Sequence, residues 1–455
     1  MEKKNLEYLA RLRKSMADHN IDAAVISSTD PHQSELPPAH WRGREWLTGF
    51  ASENGTSGTA VVTKDQAFVW TDNRYFIQAT EQLKGTGFSM MPEDGPNAVN
   101  LIDWLVEHLN AGQTVGIDGM TFSIAYAQRL EQELNDNNMK LDDNFTPFDE
   151  IYPERPERPK NKIFVHDETI VGQDVNSKVE DILNQVKSEL ANAVLLSALD
   201  DIAWATNLRA ANDIPYSPMY LAFLYISPSE RVIFVDADKL TEEAAAHLKK
   251  YNFEVKPYEG VLDFVASLPK DVRLLLDPEK TARGIYDKID CTPVFGGDGI
   301  SRLKSIKNQT MLANLEKAME KDGVALTKFF MYVEQNYPSG KLTEMSLCKE
   351  LRALRLADPS CVDESFAPII GWNEHAALPP YEPTAEPDVA ITGNGLLLVD
   401  SGGQYAEGTT DITRTVALGT PTADQIHDFT LVLKGNIALS AIKFPAGTRG
   451  SQLDV

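Results

Sequence analysis

Residues Tyr152–Lys160 read YPERPERPK, three prolines in nine residues, and this stretch limits the fold more than any other. Proline has a fixed φ and no amide hydrogen, so neither a helix nor a central strand can run through it. The chain on either side must form separate layers, joined here by a linker or an inter-domain strap. A second break falls at Gly296–Ile300, GGDGI, after which SRLKSIKNQTMLANLEKAMEKDGVALTKFFMYVEQN begins a long helical pattern. Three segments result, 1–155, 156–300 and 301–455, each about the size of one domain.

The first two segments repeat one another weakly. IDAAVISSTD, WLTGF, GTAVVT and AFVWTD in the first correspond to NAVLLSALDDIAWATNLR, MYLAFLYIS and RVIFVD in the second. Further strand–helix units follow in each, through QTVGIDG and DVRLLLDPE. Strands alternating with helices predict an α/β layer with a mixed sheet, and a duplicated domain is the simplest account. The N-terminus places Leu6, Leu9, Leu12 and Met16 at helical spacing ahead of the first strand and has no signal-peptide core.

The third segment has a different order. A helix is expected over Gln309–Gln335, ended by Pro338–Gly340, and Thr343 caps a second through Leu354 with Glu344 in its first turn. The strand-like runs SFAPIIGW, GLLLVDSG and TTDITRTVAL follow. Helices first and antiparallel strands later predict an α+β domain with helices on one sheet face.

Composition narrows the function. No apolar stretch approaches the ~20 residues of a membrane span. Cys291, Cys348 and Cys361 stand far apart without a CxxC, which argues against a disulfide framework or structural zinc and makes the cytoplasm the default compartment. A net charge of −24 opposes binding to a phosphate backbone.

One pair of residues carries candidate chemistry. In GLLLVDSGGQYAEGTTDITRTVAL (Gly395–Leu418), each of two strand-like runs carries a carboxylate, Asp400 and Asp411, where the pattern offers a buried face. Leu396, Leu398 and Asp400 share one side of the first strand, and Asp411, Thr413 and Thr415 one side of the next. Gly402, Gly403 and Gly408 let the chain fold back between them. In a hairpin of suitable register the carboxylates face each other within a few ångströms, so a proton or a cation must lie between them. Oxygen ligands on two strands suit Mg²⁺, Mn²⁺ or Zn²⁺. The same residues also suit a cap on the Ser-Gly-Gly turn and an exposed strand charge, and spacing alone does not choose.

The surrounding residues resemble a known family. LLLVDSGGQYAEGTTDITRT is similar to the metal-binding hairpin of the aminopeptidase P group within the pita-bread metallopeptidases. DPHQSE (Asp30–Glu35), REWLTGF (Arg44–Phe50), WTDNRYFIQA (Trp70–Ala79), LDDIAWATNLR (Leu199–Arg209) and KSIKNQTM (Lys304–Met311) resemble the large three-domain cytosolic Xaa-Pro aminopeptidases, in order and over essentially the whole chain. The resemblance implies two creatinase-type α/β domains followed by an α+β pita-bread domain. It further implies a dinuclear manganese site, with zinc or cobalt as alternatives, acting on proline-containing peptides in the cytoplasm. Asp400 and Asp411 fall on two aspartate metal ligands, and Arg74 falls on an arginine that reaches the substrate. The family often dimerises through its third domain, so a homodimer is compatible with it.

Two departures shape the expectation. The family carries a histidine before the tyrosine of its GxxxHGAxVHY-like segment, whereas GWNEHAALPPY places Pro380 before Tyr381, and proline has no proton, donor or acceptor to offer there. His375, five residues earlier, is expected to be solvent-facing or satisfied in the core. A histidine and two glutamates further along also complete the family's metal shell. Here no glutamate follows Glu407, and the only histidine after Asp411 is His427, within a helical pattern whose face carries Ile426, Phe429, Val432 and Leu433. The expectation is an incomplete third domain with exposed apolar surface and a partial metal site, inactive by itself. The alternative is a non-catalytic pita-bread module that binds peptides or proteins.

Overall fold

A computed structural model describes residues 2–51, 57–379, 381–384 and 388–454, so Pro380 lies outside the described residues. The chain forms two compact units, Met1–Met319 with Gln404–Thr409, and Glu320–Gly403 with Thr410–Val455.

The first unit contains the repeat. Helix α1 (Glu2–Asp18) buries Leu9, Leu12 and Met16, while Leu6 rests beside Gly87 with half its surface open. It leads into β1 (Ala23–Ile26), β2 (Thr59–Thr63), β3 (Ala67–Thr71), β4 (Ser89–Pro92), β5 (Thr114–Gly116) and β6 (Lys140–Asp142). These assemble in the order β4-β3-β2-β1-β5-β6, with β2 antiparallel to both neighbours and every other pairing parallel. In the second segment, helix α2 (Val175–Ser188) precedes β7 (Ala193–Leu196), β8 (Phe223–Ile226), β9 (Arg231–Phe234), β10 (Glu254–Lys256), β11 (Arg273–Leu276) and β12 (Thr292–Phe295). Their order is β10-β9-β8-β7-β11-β12 with the same directions throughout. The duplication read from short apolar runs is therefore present in the topology. AAVI, AVLL and FLYI are buried along their whole length, as strands covered on both faces must be.

The two repeats pair through equivalent segments. After β5 and β11 the chain forms an antiparallel bridge between Ser123 and Ala282, flanked by Ile124 N–H donating to Thr281 and Arg283 N–H donating to Phe122. The proline-rich segment is a strap between them. Tyr152 stacks on Trp46 at 4.1 Å, and Arg158 pairs with Glu259 and lies 4.7 Å from the Tyr258 ring. The DPHQSE motif also crosses: buried His32 donates from Nδ1 to the Ser197 carbonyl (2.8 Å) and accepts the Tyr258 hydroxyl at Nε2 (2.8 Å).

Helix α3 (Gln309–Asn336) begins in the first unit and continues into the second. Helix α4 (Glu344–Leu356) starts at Thr343, whose hydroxyl accepts the Ser346 N–H while Ser346 Oγ accepts the Thr343 N–H. Strands β13 (Ile369–Trp372), β14 (Gly395–Ser401) and β15 (Ile412–Leu418) form an antiparallel sheet with β14 in the middle. Phe329, Val333, Leu347, Leu351, Ile370, Leu397 and Val399 make its core. Helix α5 (Ala423–Ala441) buries none of its side chains. Ile426, Phe429 and Val432 are 55%, 50% and 73% exposed, an open apolar face. The three cysteines are buried and free, and no helix of the described residues is long and apolar enough to cross a membrane.

Candidate metal centre

Strand β14 alternates strictly: Gly395, Leu397, Val399 and Ser401 are buried, and Leu396, Leu398 and Asp400 are half-buried. The apolar core therefore takes the Leu397–Val399 face. Asp400 stands on the opposite face with Leu396 and Leu398, which corrects the expectation of a carboxylate on the core side. Cross-strand register pairs Asp400 with Thr413 and Ser401 with Ile412. Asp411 lies just before β15 and two positions before Thr413, so the two aspartates are diagonal neighbours on one face. They are not directly opposed as the simple hairpin suggested, and diagonal partners stand roughly 7–8 Å apart at Cα.

Their electrostatics call for a cation. Asp400 Oδ1 is buried with no hydrogen-bond partner among the described residues. Burial, and then the charge of Asp400, push the Asp411 carboxyl above its ordinary value. An acceptor without a donor beside a like charge is relieved by a positive ion between them. Two carboxylate oxygens are the right donors for a hard divalent ion. They are also only two: among the described residues, no group of three or more His, Cys, Asp and Glu side chains is arranged to hold a metal. His427 is exposed on α5.

The connection between the aspartates is tighter than a free turn. Gly403–Tyr405 pairs with Gly408–Thr409. A Cβ on Gly402 would fall on the Thr410 carbonyl oxygen and Ser365 Oγ, so close approach, and not a positive φ, requires glycine there.

A second cluster lies at the start of α4. Glu344, 1% exposed, was legible only as an acid favoured by the helix dipole. Its carboxylate accepts the Trp372 N–H (2.7 Å), His375 Nδ1 (3.1 Å) and the Tyr381 hydroxyl (2.5 Å). Burial and the Glu344 hydrogen bond raise the Tyr381 pKa. His375 is thus half-buried and paired. The turn carrying it packs over Gly371, where a Cβ would meet His375 and Ala376 backbone atoms at 2.7–2.9 Å.

Arg74 follows β3, in the first unit. Asp72 holds its guanidinium in a fork, Nε–Oδ1 2.8 Å and Nη2–Oδ2 2.9 Å. That carboxylate raises the Arg74 pKa, and Arg74 lowers that of Asp72. The side chain stays 47% exposed, oriented but open.

Comparison with known proteins agrees along the chain. Residues 9–152 and 154–311 each match the creatinase/prolidase N-terminal domain, and residues 313–455 match metallopeptidase family M24. Aminopeptidase P2 of Arabidopsis thaliana is 34% identical, over 98% of this chain and 68% of its own length. Xaa-Pro aminopeptidase 1 of Dictyostelium discoideum is 31% identical, over 98% and 72%. Among solved structures, the X-prolyl aminopeptidase of Caenorhabditis elegans, described as a cytosolic enzyme with a di-nuclear active site, superimposes with a TM-score of 0.93 at 31% identity. It covers 99% of this chain and 75% of its own.

Proposed function

The chain belongs to the Xaa-Pro aminopeptidase family of M24 metallopeptidases, and from that premise we propose that it serves to release an N-terminal residue preceding proline, in the cytoplasm. Asp400 and Asp411 are read as two ligands of a divalent site, with two manganese ions as the assigned metal. The observation that carries this reading is the buried Asp400 Oδ1, without a partner among the described residues, near a second carboxylate just ahead of the paired strand. A bound divalent ion supplies Lewis-acid polarisation of the scissile carbonyl. Arg74, set by Asp72 through Nε and Nη2, would offer the N–H donors of its Nη1 to peptide carbonyls. Pro380 takes no part in proton transfer or hydrogen bonding through its side chain.

With only two such carboxylates together among the described residues the site is weak and largely hydrated, so metal binding without turnover is the assignment put to test. Manganese titration by calorimetry, alongside hydrolysis of an Xaa-Pro peptide, tests both parts. The expected result is a binding step that Asp400→Asn removes, with no peptide cleaved. Robust turnover would show that the ligand set is misassigned.

The shortage of a third ligand among the described residues favours one second reading, a peptide-binding module without catalysis. Heat evolved on adding an Xaa-Pro peptide in the presence of a chelator would support it, and a flat titration would dismiss it.

A further inference from the structure

We propose that a buried chain of side chains, Asp322–Arg355–Ser401, together with Ser365 and Thr410 in the segments just outside the adjoining strands, is a positioning device that sets the spacing of Asp400 and Asp411. The proposal rests on reading those two aspartates as metal ligands. Ser401 directly follows one and Thr410 directly precedes the other, and they are 0% and 1% exposed. Each aspartate is therefore flanked by an anchored, buried hydroxyl residue.

The anchors are directional. Arg355 on α4 donates from Nε to Asp322 Oδ1 (2.7 Å) and from Nη2 to Asp322 Oδ2 (3.2 Å), and Nη2 also donates to Ser401 Oγ (3.1 Å). Asp322 belongs to α3, so two helices and β14 meet at one guanidinium. Arg355 and Asp322 are 1% and 0% exposed at their side chains. Just outside the strands, Ser365 Oγ donates to the Thr410 carbonyl (2.8 Å), and Ser365 N–H donates to the Gly402 carbonyl (3.1 Å). Gly403 N–H donates to Thr410 Oγ1 (2.9 Å), and Thr410 N–H donates back to the Gly403 carbonyl (3.0 Å).

Holding the helices to the sheet does not require this network. Leu347, Leu351, Ile370, Leu397 and Val399 already pack there, and a buried ion pair adds little net cohesion over an apolar pair of similar volume. Apolar contact is non-directional, however, whereas a guanidinium fork fixes distance and angle. Metal–ligand distances tolerate only about 0.2 Å, and groups behind the ligands commonly govern affinity. A rigid register at Ser401 and Thr410 is what a carboxylate pair needs and what packing alone does not supply.

The test is Mn²⁺ affinity of the full chain, by calorimetry and by the electron-spin signal of free Mn²⁺, taking the binding step lost in Asp400→Asn as the specific one. Ser401→Ala and the Asp322→Leu/Arg355→Met pair should weaken that step about 10- to 100-fold, while the urea midpoint of the pair stays near the parent's. Thr410→Val should weaken it likewise, and Thr410→Ser, which keeps the hydroxyl, should retain it. Affinity within about twofold of the parent in Ser401→Ala and in the pair would overturn the proposal, with Ser401→Ala decisive if the pair does not fold. Binding that survives Asp400→Asn would instead remove the ligand assignment, and the positioning role with it.

Discussion

Lys178 is fully buried on α2, and its ammonium has no carboxylate within ion-pair distance among the described residues. It donates to the Trp204 carbonyl (2.9 Å) and Asn207 Oδ1 (2.6 Å) and lies 5.0 Å from the Trp204 ring. Burial, aided by Arg209, lowers its pKa from 10.5 to about 7, which separates the two protonation states by about 5 kcal/mol. Between those two values the unfolded chain holds a proton that the native chain has released, so native stability rises with pH, by up to about 1.4 kcal/mol per pH unit. From about pH 7.5 to about pH 9.5 the gain is about 2.5 kcal/mol. Lys178→Met keeps the bulk but cannot titrate. It also leaves two acceptors without a donor, a loss that does not change with pH and therefore cancels in the comparison. Urea unfolding followed through tryptophan fluorescence at both pH values should show the parent gaining about 2.5 kcal/mol on the variant as pH rises. Parallel stabilities would mean that Lys178 stays charged in the fold, and the burial argument would fail.

Other perturbations address separate features. His32 is held neutral by burial, with a pKa below its ordinary 6.5, so its contribution is present above that pH and lost as pH falls through it towards the folded value. Thermal melts should show the parent losing stability faster than His32→Gln below about pH 6.5, and superimposable profiles would contradict this. Gly402→Ala drives a methyl into the Thr410 carbonyl and should cost about 3 kcal/mol in urea unfolding. A loss under about 1 kcal/mol would show that the approach is not tight. Phe429→Glu with Val432→Lys should leave the melting temperature nearly unchanged while reducing self-association by light scattering, because both side chains are exposed. A drop of several degrees would mean that this face is packed.

Local pattern was enough for most of the architecture. Runs such as AVLL and FLYI, short and bounded by turn residues, read as strands, the Gln309 helix follows from its length and period, and Pro153, Pro156 and Pro159 end whatever surrounds them. The repeat was legible for the same reason, since it consists of those runs in the same order. The candidate site was legible in part: Asp400 and Asp411 could be named, but their relation depended on a register that alternation alone leaves open. Glu344 passed as a helix-start acid because two of its partners, His375 and Tyr381, lie 31 and 37 residues away.

Residue order alone thus indicated the main helices and strands, suggested that one domain is doubled, and named the carboxylates that are candidates for a metal, because propensity and periodicity act between near neighbours. Tertiary structure alone decided that Asp400 turns away from the core, that the aspartates meet diagonally, and that Arg355 reaches Ser401 across 46 residues. Those outcomes come from packing and hydrogen bonding between distant parts of the chain, and such pairings leave no periodic trace in the sequence.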